Sequence, residues 1–209
     1  MFKFEVEMIP VLKDGLAKIY KTQNFATEFN TGNGIADLVF AKAINDEALM
    51  FNDYSLMSLF IRHLNNTKKL NKDILFENCA DKINLRKLLL YLEHNGYVSV
   101  EENHLIMTKK YKPHAQKMIS IEAKLKDWRS GINQALRYQF FSHKSFLAMP
   151  EQYIHRVDTQ VLQQYNIGLI SVSNKAVNIV VDPIEKKPLD LISYYYLSEC
   201  FAKKVRTSF

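Results

Sequence analysis

Met118-Ile119-Ser120-Ile121-Glu122-Ala123-Lys124-Leu125 alternates in a way that organises the rest of the chain. In a strand, every second residue shares a face. Ile121, Ala123 and Leu125 then point into a core, while Glu122 and Lys124 point together to the other side. Two opposite charges on one face of an otherwise apolar strand need a reason, because burying either unpaired is costly. The E-x-K pattern alone carries little weight, since roughly one match is expected by chance in a chain this rich in Glu and Lys. A second match, Glu185-Lys186-Lys187, falls between Pro183 and Pro188 and reads as loop. Only the first lies on a core strand.

Working outward, the elements around this strand form an alternating pattern. Residues 5–20 read as a helix, with Met8, Val11, Leu12, Leu16 and Ile19 at helical spacing and Pro10 in an early turn. Residues 25–30 and 35–41 read as strands joined by Thr31-Gly32-Asn33-Gly34, which is strong hairpin chemistry. The second of them is apolar apart from Asp37. After the E-x-K strand comes a helix over about 128–142 that carries Gln134 and Tyr138, four apart on one face. A short strand at 145–149 ends at Pro150. Residues 157–165 read as a helix, 168–173 and 178–181 as strands, and 189–204 as a final helix covering the core.

Residues 45–112 have a different character. Helical patterns fall at about 55–65, 71–79 and 84–95, and Asn95-Gly96 stops the third. Tyr97–Val100 and Leu105–Thr108, joined by the polar tip Glu101-Glu102-Asn103-His104, read as a hairpin. Three helices and a β-wing make a winged-helix module. The expected organisation is an α/β core at 1–44 and 113–209 with this module inserted at 45–112.

Composition sets the outer bounds. The 209 residues are 47% hydrophobic and 24% charged, a globular balance that excludes disordered and collagen-like classes. Six Gly and five Pro argue for regular elements over long linkers. The start of the chain is charged at once, with no apolar run of a secretory leader, and no stretch approaches a membrane span. Cys79 and Cys200 are isolated and read as reduced thiols of a cytoplasmic protein. The formal net charge is +6, and residues 117–149 hold six positive side chains against two negative. A local basic surface suits a polyanionic partner. No GxSxG, P-loop, GxGxxG or HExxH-like pattern occurs, so acyl transfer, nucleotide hydrolysis, dinucleotide chemistry and zinc hydrolysis lack support. His143 reads as a surface turn residue.

Helix, hairpin with Asp37 on its second strand, E-x-K on a third strand and then a helix with Q-x-x-x-Y together resemble the PD-(D/E)XK, or restriction-endonuclease-like, nuclease superfamily. Ala36 stands where that motif has Pro. The resemblance covers roughly 1–44 and 117–182. It implies a mixed central sheet flanked by helices, interrupted here by the winged helix, and a metal-dependent nuclease acting on nucleic acid, most naturally DNA. Such enzymes serve restriction, repair, recombination or mobile-element defence. The resemblance also implies Asp37 and Glu122 as ligands of Mg²⁺, with Mn²⁺ as a substitute, helped by the backbone carbonyl of Ala123. It gives Lys124 to the attacking water and the developing charge, and Gln134 and Tyr138 to positioning. Glu7 is the expected accessory acid, with Glu5 as its alternative.

Lys126, Arg129, Arg137 and Lys144 in the core, and Arg86 and Lys87 at the start of the third helix of the module, are the expected nucleic-acid contacts. A homodimer is expected if both strands of a duplex are cut, and the module could instead receive a protein partner. No membrane partner is expected. The competing function is a catalytically inactive winged-helix nucleic-acid-binding or regulatory protein on the same scaffold.

Overall fold

The structure is a computed structural model that describes residues 2–46 and 48–207. It divides into two compact units, one formed by residues 1–44 and 115–209 and the other by residues 45–114. The division falls where two paired strands end, for Ile44 sits opposite Ala115 in the sheet of the first unit.

The first unit is built on a six-stranded mixed sheet flanked by helices. Helix α1 (Met8–Tyr20) is preceded by a single 3₁₀ turn at Glu5–Glu7, so the regular helix starts at the first apolar position, Met8, and not at residue 5. Strands β1 (Phe25–Asn30) and β2 (Ile35–Ile44) form the expected hairpin. Its turn is closed by Thr31, whose backbone N–H and hydroxyl both donate to the Gly34 carbonyl at 2.9 Å. Gly32 and Gly34 both take positive φ there, which a side chain would disfavour.

The remaining elements of this unit follow the second unit in the chain. They are β6 (Ala115–Ala123), α5 (Trp128–Tyr138), β7 (Lys144–Pro150), α6 (Thr159–Tyr165), β8 (Gly168–Val172), β9 (Val177–Val181) and α7 (Leu191–Arg206). The strand order is β1-β2-β6-β7-β8-β9. Strand β6 is the pivot of the sheet: it runs antiparallel to β2 and parallel to β7, while β7 and β8 are also parallel. Helix α5 is therefore the crossover that connects two parallel neighbours. It ends at Tyr138, short of residue 142, and a 3₁₀ turn at Glu151–Arg156 precedes α6.

Both faces of this sheet are covered. On one, Met8, Leu12 and Leu16 of α1 pack on Leu38, Phe40, Ile119, Ile121 and Ala123. On the other, Tyr194, Leu197 and Phe201 of α7 pack on Val39, Ala41 and Met118. Ile132 and Ala135 of α5 meet Leu147, Met149 and Leu169 on that second side.

The second unit contains α2 (Tyr54–His63), β3 (Lys69–Asn71), α3 (Lys72–Asn78), α4 (Lys82–His94), β4 (Val98–Glu101) and β5 (His104–Met107). The hairpin β4–β5 gains a third strand, β3, which pairs with β5; three residues are too few to show a period. Asp53, Asn71 and Asp81 cap the three helices through their side chains. Phe51, Phe60 and Tyr111 form an aromatic triangle with centroids 5.1–5.4 Å apart at the centre of this unit. Among the described residues, no helix is long and apolar enough to cross a membrane.

Candidate active site

The register of the sheet brings Asp37 to the E-x-K segment. Leu38 pairs with Ile121, so Asp37 stands beside the Glu122–Ala123 step on the neighbouring strand. Its Oδ2 accepts the Ala123 N–H at 2.7 Å. That bond joins residues 86 apart in sequence and ties the carboxylate to the end of β6. The Lys124 N–H donates to the Ala148 carbonyl at 2.9 Å, continuing the ladder one residue past the end of β6.

Glu122 is 2% exposed, so its charge has to be satisfied within the protein. Lys124 Nζ donates to Oε1 at 2.7 Å and the Tyr138 hydroxyl reaches Oε2 at 2.9 Å. The same hydroxyl lies 2.7 Å from the Ile35 carbonyl, so its single hydrogen is shared between the first residue of β2 and the end of β6. Tyr138 is itself fixed by its ring, buried in the α7-side core, and by its carbonyl, which accepts from the Ser142 hydroxyl at 2.8 Å. Ser142 closes a triangle with Ser120 and Ser145 at 2.9–3.0 Å. Ser120 lies two residues before Glu122, so this polar cluster ties the end of α5 to the face that carries the site.

Gly131 in the first turns of α5 lets the helix come down on Lys124. A Cβ there would stand 2.5 Å from Leu147 Cδ1 and 2.9 Å from Lys124 Cγ. The lysine stem is thus held between helix and sheet, and its side chain is only 15% exposed.

The electrostatics follow from this packing. Burial is the largest influence on Asp37 and raises its carboxyl above the usual range; Glu5 and Glu28 push the same way, and the Ala123 N–H and Lys124 only partly offset them. Burial also raises Glu122, with Asp37 adding to it against the opposing Lys124 and Tyr138 hydrogen bonds. Burial by itself would lower Lys124, but Glu122, Glu5 and Asp37 outweigh it and the ammonium holds its proton more tightly than usual. Tyr138 is raised by burial and by Glu122. The site is therefore a cluster of repelling carboxylates around one firmly protonated lysine.

Of the two candidates for the accessory acid, Glu5 lies beside Lys124 and Glu7 is placed elsewhere. Glu7 is exposed, and its carboxylate accepts the Lys3 backbone N–H at 2.7 Å. Glu5 accepts the Leu125 N–H at 3.1 Å and lies 3.7 Å from Lys124 Nζ. Both residues sit on the 3₁₀ turn, whose winding of about three residues per turn differs from that of an α-helix. Gln134 is half-buried one turn before Tyr138, and its amide makes no hydrogen bond among the described residues. Lys144 lies away from this group: it pairs with Ile119 at the other end of the β6–β7 ladder and is ion-paired with Asp182 at 2.7 Å. Lys126, Arg129 and Arg137 are exposed on or just before α5, and Arg86 and Lys87 are exposed on α4 of the second unit. His143 is half-buried with its ring edge-on to Tyr194 at 4.9 Å, and burial lowers its pKa, so it is not the surface turn residue expected.

One contributor lies outside the motifs. Thr27 pairs with Leu38 and Phe29 with Ala36, which sets Glu28 against Asp37. Counting back across the Thr31–Gly34 turn finds it: Asn30 opposes Ile35, so 28 opposes 37. Glu28 takes φ of 46°, and Lys204 holds the strand there by donating to the carbonyls of Thr27 and Glu28 at 2.6 and 2.8 Å.

Among the described residues, no three His, Cys, Asp or Glu side chains converge as a metal-binding group. The oxygen donors at hand are Asp37 Oδ1, which no hydrogen bond occupies among the described residues, the spare lone pairs of Glu122, and the Ala123 carbonyl. Mg²⁺ prefers oxygen donors and keeps several waters, so one or two carboxylates are enough to hold it. A donor set of two raised, mutually repelling carboxylates fits such a cation. No family model, no curated protein and no solved structure matches this chain.

Proposed function

We propose that the chain is a metal-dependent nuclease of the restriction-endonuclease-like PD-(D/E)XK type, acting on nucleic acid, with DNA as the principal substrate. The observation that carries this reading is the meeting of Asp37, Glu122 and Lys124 on adjacent strands, joined by the Asp37–Ala123 hydrogen bond. The order of elements, helix, hairpin, E-x-K strand, crossover helix and parallel strand, is the second support.

Asp37 and Glu122, with the Ala123 carbonyl, would hold Mg²⁺ or Mn²⁺. When bound, such an ion polarises a phosphoryl oxygen and makes a water more acidic. Lys124 carries its proton firmly, so it serves as a cation facing charge that builds on the phosphate, rather than as a base. Tyr138 holds Glu122 in its rotamer, and Gln134 offers a free amide to the substrate backbone. The 45–114 unit, with three helices and a three-stranded sheet, is read as a winged helix that selects the substrate, with Arg86 and Lys87 on its third helix. Cutting both strands of a duplex would engage two copies. The free thiols of Cys79 and Cys200 suit the reducing cytoplasm.

A second reading, a nucleic-acid-binding protein without catalysis, is favoured by one observation: both Glu122 oxygens already have partners within the protein. A single assay separates the two. Linear, supercoiled, branched and single-stranded DNA, and RNA, are incubated with Mg²⁺, Mn²⁺ or EDTA. The nuclease cleaves at least one of them with metal only, and a folded Lys124→Ala protein loses about a hundred- to ten-thousand-fold of that rate. Binding without cleavage of any substrate establishes the second reading.

A further inference from the structure

Beside the carboxylate site lies a rim of stacked cations and aromatic rings that the expected nucleic-acid contacts only partly include. Lys126 Nζ lies 5.6 Å from the Tyr153 ring centroid, and Arg156 Cζ lies 4.8 Å from the same ring. Arg129 Cζ lies 4.7 Å from the Trp128 ring. The rim joins the segment after β6 to the 3₁₀ turn after β7. Because β6 and β7 run parallel, both segments leave the carboxyl end of the sheet, where Glu122 and Lys124 also lie. Only Leu125 separates Lys126 from Lys124, which keeps their Cα atoms within ~7 Å.

None of Lys126, Arg129 and Arg156 takes part in a salt bridge among the described residues. Asp127, the carboxylate between the first two, is committed to the N-terminus of α5, where it accepts the Ser130 N–H at 3.1 Å. Trp128 and Tyr153 are half-buried against Ile132, Leu147 and Leu162, so the rings are held in place by the core below. The cations on them are exposed. A guanidinium laid on a fixed ring keeps its outer face free, and bases stack on such planes. In a duplex the bases are already stacked on each other, so a platform of this kind selects an unpaired strand.

We propose that this rim, Tyr153 with Lys126 and Arg156 and Trp128 with Arg129, binds an unpaired nucleic-acid strand and leads it to the carboxylate site. The substrate class is thereby narrowed to single-stranded, overhanging or frayed nucleic acid. The proposal rests on the nuclease reading of the neighbouring carboxylates, and its test leaves cleavage out.

Fluorescence anisotropy in EDTA compares one labelled DNA oligonucleotide as a single strand, as a blunt duplex and as an abasic single strand of equal charge. The single strand binds at least about ten-fold more tightly than the duplex, and the abasic strand loses about five- to a hundred-fold. Arg156→Ala and Arg156→Lys both weaken the intact strand, because the second keeps the charge and gives up the stacking plane. Tyr153→Leu does the same, and the exposed Arg156 variants stand in if that protein folds poorly. Equal affinity for single strand and duplex, equal affinity for the abasic strand, or full binding by Arg156→Lys overturns the proposal. Selective single-strand binding with no metal-dependent cleavage of any substrate would leave it standing and remove the nuclease reading instead.

Discussion

The two units bury different chemistry. Of the ten polar or charged residues buried in the described chain, nine belong to the site-bearing unit and one, His114, to the 45–114 unit. The second unit is an economical apolar core: Phe60, Leu85, Leu88, Leu92 and Leu105 are all 1% exposed or less, and His114 makes its bond to the Leu49 carbonyl. The first unit places Glu122, Ser120, Ser142 and Ser145 inside and needs a web of hydrogen bonds to hold them there. Buried polar groups are costly unless fully bonded. Their concentration on one face of one sheet therefore marks where the fold has given up stability for a polar site.

The sharpest way to break that contrast is Asp37→Asn. The folded Asp37 carboxyl is raised, chiefly by burial. A raised carboxyl gives stability that is complete below its ordinary, unfolded range and is lost as pH rises through the folded value. Ionisation of Asp37 thus weakens the fold toward neutral pH. Asn cannot ionise, and its carbonyl can still accept the Ala123 N–H. In EDTA, the variant's Tm matches that of the wild type well below pH 4 and exceeds it at pH 7, while metal-dependent cleavage falls at least about a hundred- to a thousand-fold. A Tm below the wild type across the whole range would mean that Asp37 holds the sheet together, and that the site is structural.

Phe60→Ala tests the other side of the comparison. Phe60 is fully buried between Phe51 and Tyr111, and truncating such a ring costs ~3–5 kcal/mol. Hydrogen exchange is expected to lose protection in α2, α4 and β5 while β2, β6 and β7 keep theirs. Equal loss in both sets would show that the units unfold as one cooperative body.

How much of this was legible in the sequence depended on the range of the interaction. The hairpin, the E-x-K strand and the crossover helix are written in local periodicity and turn chemistry, and each appears within a few residues of its expected bounds. Asp37 and Glu122 were readable as a pair only through the order of elements. Their actual meeting depends on the antiparallel register of β2 and β6, which no local pattern encodes. The resemblance offers both Glu7 and Glu5 as the accessory acid, and no local pattern chooses between them; the two carboxylates sit on a 3₁₀ turn, and only Glu5 reaches Lys124. The short strand β3 and the serine triangle left no signal, because one has three residues and the other joins three separate positions. Glu28 is readable by hairpin arithmetic, since Asn30 opposes Ile35 across the turn.

The smallest expected effect comes from two lysines that look alike. Lys124 and Lys144 each approach a carboxylate oxygen at 2.7 Å, and each side chain is 15% exposed. Their partners differ: Glu122 is 2% exposed, Asp182 58%. Water screens an ion pair whose carboxylate is open to it, and such pairs contribute ~0.2–1 kcal/mol. Lys144→Ala is therefore expected to shift stability by less than ~1 kcal/mol in urea denaturation, and to leave cleavage and DNA affinity as they were. A several-fold loss of DNA binding by Lys144→Ala would return that lysine to the nucleic-acid surface. It would also show that the pair with Asp182 opens when a phosphate competes for the ammonium. An unchanged affinity would mean that partner burial, rather than distance or lysine exposure, separates the Lys124–Glu122 pair from the Lys144–Asp182 pair.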